Sequence, residues 1–142
     1  MAPSTLTVRQ QLKKAAIASL TTQPNPTQMS IILDPTRSKI ISGGERAGKS
    51  ATGSWEGYSS HIADSTLHED MPYLVWLVGE DYAQSPGEFE HLVNYFTEAD
   101  LVAPNGIHWP KEDQCILVTR MGGRFETKTA HDPRKLGVRA PN

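Results

Sequence analysis

The sequence has 142 residues, which fits one domain with a modest hydrophobic core. Hydrophobic residues make up 37% of the chain and charged residues 21%, an ordinary balance that favours a folded globular protein over a disordered one. The single cysteine, Cys115, excludes an internal disulfide, and no apolar run approaches the roughly 18 residues of a membrane span. These features predict a soluble, cytoplasmic protein without a membrane partner.

The net charge of −2 hides an uneven distribution along the chain. Residues 1–50 contain seven Lys and Arg against two acids, residues 51–113 one against twelve, and residues 114–142 six against two. Two basic ends could form a surface for polyanions, but no cluster of five or more like charges occurs. We therefore favour separate solvated faces, and charge alone gives no argument for DNA binding.

The first predicted element is a helix from Thr5 to Leu20, where apolar residues recur at close to helical spacing. Two prolines in residues 21–28 predict a loop or linker, so residues 1–27 form an N-terminal helix and linker and residues 28–142 the main domain. Within the latter, residues 28–34 predict one or two helical turns that stop at Pro35. A short strand follows at residues 38–42, and then a helix from Lys49 to about residue 66.

The second half of the chain continues the alternation of strands and helices. The apolar run YLVWLVG (73–79) is typical of a buried strand. A helix is predicted over residues 85–102, with Ser85 as its N-cap and Pro86 at its first position. Residues 102–113 are turn-rich, and residues 114–119 and 123–130 predict two strands of a hairpin. This order indicates an α/β fold.

A glycine-rich stretch lies between the predicted strand at 38–42 and the helix that follows it. Gly43, four further residues, Gly48, Lys49 and Ser50 satisfy the P-loop pattern G-x-x-x-x-G-K-[ST]. In such a loop the glycines let backbone N–H groups converge on phosphate oxygens, and the helix dipole points at the same oxygens. Lys49 would pair with the β- and γ-phosphates, and the Ser50 hydroxyl would bind Mg²⁺. A glycine turn with an exposed lysine is the alternative, which the strand–loop–helix context disfavours.

Other constellations leave two interpretations open. Arg46, inside the loop, is either a cation aimed at the γ-phosphate or an exposed loop residue. Gln28 is either an amide that reads adenine or a surface glutamine. Glu80 and Asp81 end an apolar strand in the manner of a Walker B motif, but Gly79 interrupts that run. The five histidines and Cys115 show no close ligand spacing, which disfavours a histidine metal site and a Cys–His catalytic pair.

The stretch KIISGGERAGKSATG resembles the start of the ATPase region in the large subunit of tailed-phage terminase, the motor that packages DNA into proheads. The family often carries G-G-x-R-x-G-K-[ST] in this loop. The positions that match are Gly43, Gly44, Arg46, Gly48, Lys49 and Ser50. Upstream, NPTQ stands where the family has an adenine-proximal element, which gives Gln28 that role by resemblance. Weaker similarity extends over residues 24–142 and includes Tyr82, Ala83 and Gln84 after the second strand.

The resemblance implies a P-loop NTPase core of the ASCE, or RecA-like, type, with an incomplete sheet and an N-terminal helix. It implies ATP and Mg²⁺ as cofactors, with Lys49 and Arg46 as catalytic residues and Ser50 as the metal ligand. Nucleotide-binding residues would be Gln28, Gly43, Gly44, Glu45, Arg46, Ala47, Gly48, Lys49 and Ser50. Implied partners are double-stranded DNA, portal protein and the small terminase subunit, in a homo-oligomeric ring in the host cytoplasm.

By the same resemblance, the Walker B strand and the nuclease domain would lie beyond residue 142. The sequence then predicts a part of the large subunit that binds nucleotide but hydrolyses it poorly. Two alternatives come from other classes of protein. One is a small P-loop kinase, for which the stretch RMGGRFETK would be the only lid segment. The other is an interaction module that uses its P-loop without catalysis.

Overall fold

The structure is a computed structural model that describes residues 6–36, 39, 48–68, 73–79, 86–110 and 113–129. Four helices and four strands lie in these ranges. The helices are α1 (Val8–Ala18), α2 (Pro26–Leu33), α3 (Lys49–Leu67) and α4 (Pro86–Glu98). The strands are β1 (Tyr73–Gly79), β2 (Val102–His108), β3 (Ile116–Thr119) and β4 (Gly123–Thr129).

The strands form one mixed sheet in the order β1-β4-β3-β2. β1 pairs with β4 in parallel, whereas β4 with β3 and β3 with β2 pair antiparallel. The predicted hairpin of residues 114–130 is therefore confirmed, as is the strand at 73–79. The architecture is mixed α/β, which confirms the predicted fold class at this level.

The helices α3 and α4 are parallel neighbours. Ser54 of α3 donates a hydrogen bond to the Glu88 carbonyl, and three residues further on Gly57 faces Leu92. Tyr58, the next residue of α3, packs edge-on against the ring of Phe96, which lies one turn beyond Leu92 in α4. Since these contacts follow the same order in both helices, their N-termini lie at the same end of the pair.

Within the described ranges, one hydrophobic core joins the helices to the sheet. α1 packs against α3 and contributes Ile17, which is fully buried and belongs to the same hydrophobic cluster as residues of α4 and β4. Trp55 is 3% exposed and stacks on Tyr95, so it is a packing residue. Among the described residues, no helix is long and apolar enough to cross a membrane.

The prediction that residues 102–113 form turns was wrong, because most of them belong to β2. Asn105 adopts a left-handed φ of 56°, and the pairing of β2 with β3 shifts register between Val102 and Ile107. The residues that suggested a turn therefore form a bulge inside an edge strand. Gly106 is needed there, because a Cβ would lie 2.5 Å from the Val118 carbonyl oxygen.

The boundaries of two helices also differ from prediction. α4 ends at Glu98 instead of continuing to residue 102. Asp100 takes the left-handed position (φ 56°), and the Leu101 N–H bonds the Phe96 carbonyl at 2.9 Å, which is a Schellman motif without glycine. α2 begins at Pro26 rather than Gln28, because Asn25 caps it and proline suits the first helical position.

Several predicted features lie outside the described residues. They are the strand at 38–42 except Lys39, the loop residues 43–47, the pair Glu80 and Asp81, the N-cap Ser85, and residues 130–142.

One histidine is enclosed between α3 and the sheet. His61 is 0% exposed, with Nε2 2.7 Å from Thr119 Oγ1 and Nδ1 3.0 Å from Ser65 Oγ, and its ring stacks on Tyr73. Burial lowers the pKa of His61 to about 4, although the charge of Asp64 acts in the opposite direction. The imidazole is therefore neutral in the folded protein at neutral pH.

We expect the protein to lose stability on acidification through His61. Histidine in the unfolded chain takes up a proton below about pH 6.5, whereas the folded form takes it up only near pH 4. Linkage then lowers the free energy of unfolding by about 2 kcal/mol between pH 8 and pH 5. Urea unfolding of the wild type and of His61→Asn at pH 8 and pH 5 measures how much of the lost stability comes from His61. If both proteins lose the same free energy of unfolding between the two pH values, His61 is not the cause.

Candidate functional site

The described part of the glycine-rich stretch is its end, where the chain enters helix α3. Gly48 is the N-cap of α3 in the left-handed conformation, with φ 77°. Its carbonyl accepts hydrogen bonds from the Thr52 N–H at 2.9 Å and from Thr52 Oγ1 at 2.8 Å. Lys49 and Ser50 follow in the first turn, and both are exposed. The chain therefore enters the helix with a conformation that favours glycine, and the next two side chains face solvent.

The N-terminus of α3 differs from those of α1 and α2. Both of those helices begin with a capping box, formed by Thr7 with Gln10 in α1 and by Asn25 with Gln28 in α2. Gly48 supplies no side-chain cap to α3. Since the first N–H groups of a helix have no acceptor within it, the start of α3 offers donors and a positive dipole end to an anion.

Gln28 lies against this helix start, although 20 residues separate it from Gly48 in the chain. Its Nε2 is 3.4 Å from the Gly48 carbonyl oxygen, a long hydrogen bond. A Cβ built on Gly48 would lie 2.5 Å from the same Nε2. Its Oε1 accepts from the Asn25 N–H at 2.9 Å, as the capping box requires. The amide is thus packed between the first turn of α2 and the N-cap of α3.

The first turn of α4 adjoins the same place. A Cβ on Gly87 would lie 4.0 Å from Ser50 Oγ, and Ser54 Oγ donates to the Glu88 carbonyl at 3.0 Å. Burial raises the pKa of the Glu88 carboxyl, and His91 partly offsets this. In sequence Glu88 lies 38 residues after Ser50, and only the parallel packing of α3 and α4 brings its carbonyl to Ser54, one turn beyond Ser50.

The structure brings together four of the predicted site residues, namely Gln28, Gly48, Lys49 and Ser50. The remaining predicted residues, Gly43, Gly44, Glu45, Arg46 and Ala47, lie outside the described residues. The catalytic role predicted for Arg46 and for Lys49 therefore stays a prediction.

In its described ranges the chain contains no group of three or more His, Cys, Asp or Glu side chains that could hold a metal ion. A P-loop needs no such group, because Mg²⁺ there is held by phosphate oxygens, water, one hydroxyl and a single Walker B aspartate. Ser50 fits that limited role, since its exposed hydroxyl stands in the first turn of α3, one residue after Lys49.

Comparison with known proteins gave no relatives: no family model matches the chain, and neither does any curated protein or solved structure. The function therefore has to be inferred from the residues and their arrangement.

Proposed function

We propose that this chain binds the triphosphate of ATP with Mg²⁺ through a P-loop of residues 43–50. The observation that carries the proposal is the start of α3. A left-handed glycine without a side-chain cap stands there, followed at once by an exposed lysine and an exposed serine. Each of these features is what a phosphate group needs, namely the N–H donors of a helix start, a cation and a hydroxyl for the metal.

Each residue of the proposed site would have a separate role in binding the triphosphate. The N–H groups at the start of α3 bind phosphate oxygens, and Lys49 places a charge on the β- and γ-phosphates. The Ser50 hydroxyl holds Mg²⁺, which neutralises part of the phosphate charge when bound. Arg46 would stabilise charge on the transferring phosphoryl group. The P-loop pattern and the local geometry of Gly48 support this assignment jointly.

On the resemblance of the loop, we further propose that the chain is part of the large subunit of a phage terminase, with an ATPase core of the RecA-like type. Double-stranded DNA, the portal protein and the small subunit would then be its partners. The mixed α/β architecture is compatible with this proposal, and the sequence GGERAGKS is its main support.

The test is calorimetric binding of Mg·ATP to the wild type and to Lys49→Ala. We expect measurable binding by the wild type and a loss of about a hundredfold or more in the variant, because the main charge on the β- and γ-phosphates is removed. Lys14→Ala is the matched control, since Lys14 is an exposed helical lysine on α1 whose loss removes the same charge elsewhere.

The outcomes separate the proposed function from its alternatives. No binding by a folded wild type would overturn the nucleotide site and favour a non-catalytic interaction module. An equal loss of Mg·ATP affinity in Lys49→Ala and Lys14→Ala would mean that the net charge of the protein, and not the position of Lys49, controls binding. Transfer of the γ-phosphate to a small acceptor would favour the kinase over the terminase.

A further inference from the structure

Gln28 links two helix starts through the two ends of its amide. The oxygen end closes the capping box of α2 by accepting from the Asn25 N–H. The nitrogen end reaches the Gly48 carbonyl and occupies the space where a Cβ on Gly48 would project. Both ends therefore have contacts within the protein before any nucleotide is considered.

The Gly48 carbonyl that Gln28 contacts belongs to the peptide at which helix α3 begins. It is already bonded by the Thr52 N–H and by Thr52 Oγ1, so that it receives donors from the helix on one side and from Gln28 on the other. The orientation of this peptide sets the direction of the N–H groups that follow it in α3. A side chain that fixes the peptide also fixes the donors that a phosphate would meet.

Recognition of a nucleotide base by Gln28 would require both polar atoms of the same amide. Recognition of adenine by a glutamine uses the oxygen as acceptor and the nitrogen as donor at once. In this structure the oxygen accepts from Asn25 and the nitrogen faces Gly48, so bidentate pairing with a base would require the side chain to leave both contacts.

We propose that Gln28 is a positioning residue for the phosphate site: by packing against Gly48 it orients the first turn of α3, and it does not select the base. This inference rests on the proposed function, because it assigns a role within the same site. It predicts that Gln28 affects every polyphosphate ligand alike, whether or not the ligand carries a base.

The experiment uses Gln28→Met, which keeps the approximate length of the side chain and removes both the oxygen acceptor and the nitrogen donor of its amide. Gln10→Met is the matched control. Gln10 closes the capping box of α1 in the same way and donates Nε2 to the Leu33 carbonyl at 2.7 Å. The two variants therefore lose equivalent capping interactions, and only the first loses the contact with Gly48.

Binding of Mg·ATP, Mg·GTP and Mg·tripolyphosphate is measured for the wild type and both variants. We expect Gln28→Met to weaken all three ligands by a similar factor, about tenfold, and Gln10→Met to leave them unchanged. Loss of ATP binding alone, with GTP and tripolyphosphate unaffected, would overturn the proposal and make Gln28 a base reader.

Hydrogen exchange supplies a readout that needs no ligand. The Thr52 N–H bonds to the Gly48 carbonyl, and we expect it to exchange faster in Gln28→Met than in Gln10→Met. Unchanged exchange would overturn the positioning role even if nucleotide binding is lost. If the wild type binds none of the ligands, the proposed function fails, and exchange at Thr52 still decides whether Gln28 orients the start of α3.

Discussion

Replacement of Glu56 by alanine is expected to lower the free energy of unfolding by about 3 kcal/mol, because it leaves the buried ammonium of Lys13 without its half-buried carboxylate partner. Lys13 of α1 is only 1% exposed, and its ammonium lies 2.9 Å from Glu56 Oε2 and also bonds the Ile32 carbonyl at the end of α2. Lys39, which precedes the glycine-rich stretch in sequence, pairs with the same carboxylate at 3.2 Å. Without Glu56, two ammonium groups would share one carbonyl oxygen.

The matched variant is Lys13→Met, which removes the charge and keeps an apolar stem in the core. We expect a loss within about 1 kcal/mol, because Glu56 retains Lys39 and buried pairs often tolerate an apolar replacement. The double variant Lys13→Met/Glu56→Ala should be more stable than Glu56→Ala alone. Chemical unfolding of all three proteins at pH 7 gives their free energies of unfolding. If the loss in the double variant equals the sum of the two single losses, the prediction that Glu56→Ala is harmful because of the unpaired Lys13 charge is wrong.

The pH dependence of the same variant offers a further check. Burial lowers the pKa of Lys13, and the hydrogen bond and charge of Glu56 act against this. Removing Glu56 should lower the folded-state pKa further below the unfolded value. A lysine with a lowered folded pKa destabilises the protein most while it is protonated. The loss caused by Glu56→Ala should therefore shrink as the pH rises towards 10.

Replacement of Gly123 by alanine is expected to cost about 3 kcal/mol of stability, at the upper end for overpacking. A Cβ at this position would lie 2.2 Å from Cε1 and from Nε2 of His61. The ring cannot move aside, since it is 0% exposed and stands against Tyr73, Phe96 and Phe125. A shift of the ring would also break its contact with Thr119.

Two controls separate this clash from the general effects of replacing a glycine. Gly122→Ala puts its methyl group in open space but requires a φ of 85°, so it should cost only about 1 to 2 kcal/mol. In the second control, His61→Ala in the Gly123→Ala background should cost less than His61→Ala alone, because the two sites then no longer collide. Thermal and urea unfolding give both comparisons, and independent, additive effects would contradict the predicted contact.

Local patterns in the sequence determined most of the elements. The apolar run of β1, the helical spacing of α1 and the glycines between β3 and β4 predicted structures that the fold contains. These signals succeed because they depend on neighbours a few residues apart. Where a turn-like stretch lay opposite another strand, as at Asn105 and Gly106, pairing with β3 overrode the local signal and made it a bulge.

For the candidate site, the sequence by itself determined which residues carry the phosphate-binding pattern, because that pattern is contiguous and its spacing follows from backbone geometry. Only the tertiary structure decided what stands around it. The contact of Gln28 with Gly48, the approach of Gly87 to Ser50 and the burial of Lys13 beside Glu56 each join residues at least 20 positions apart. Such contacts arise from how helices pack on one another, and a one-dimensional pattern does not encode which faces meet.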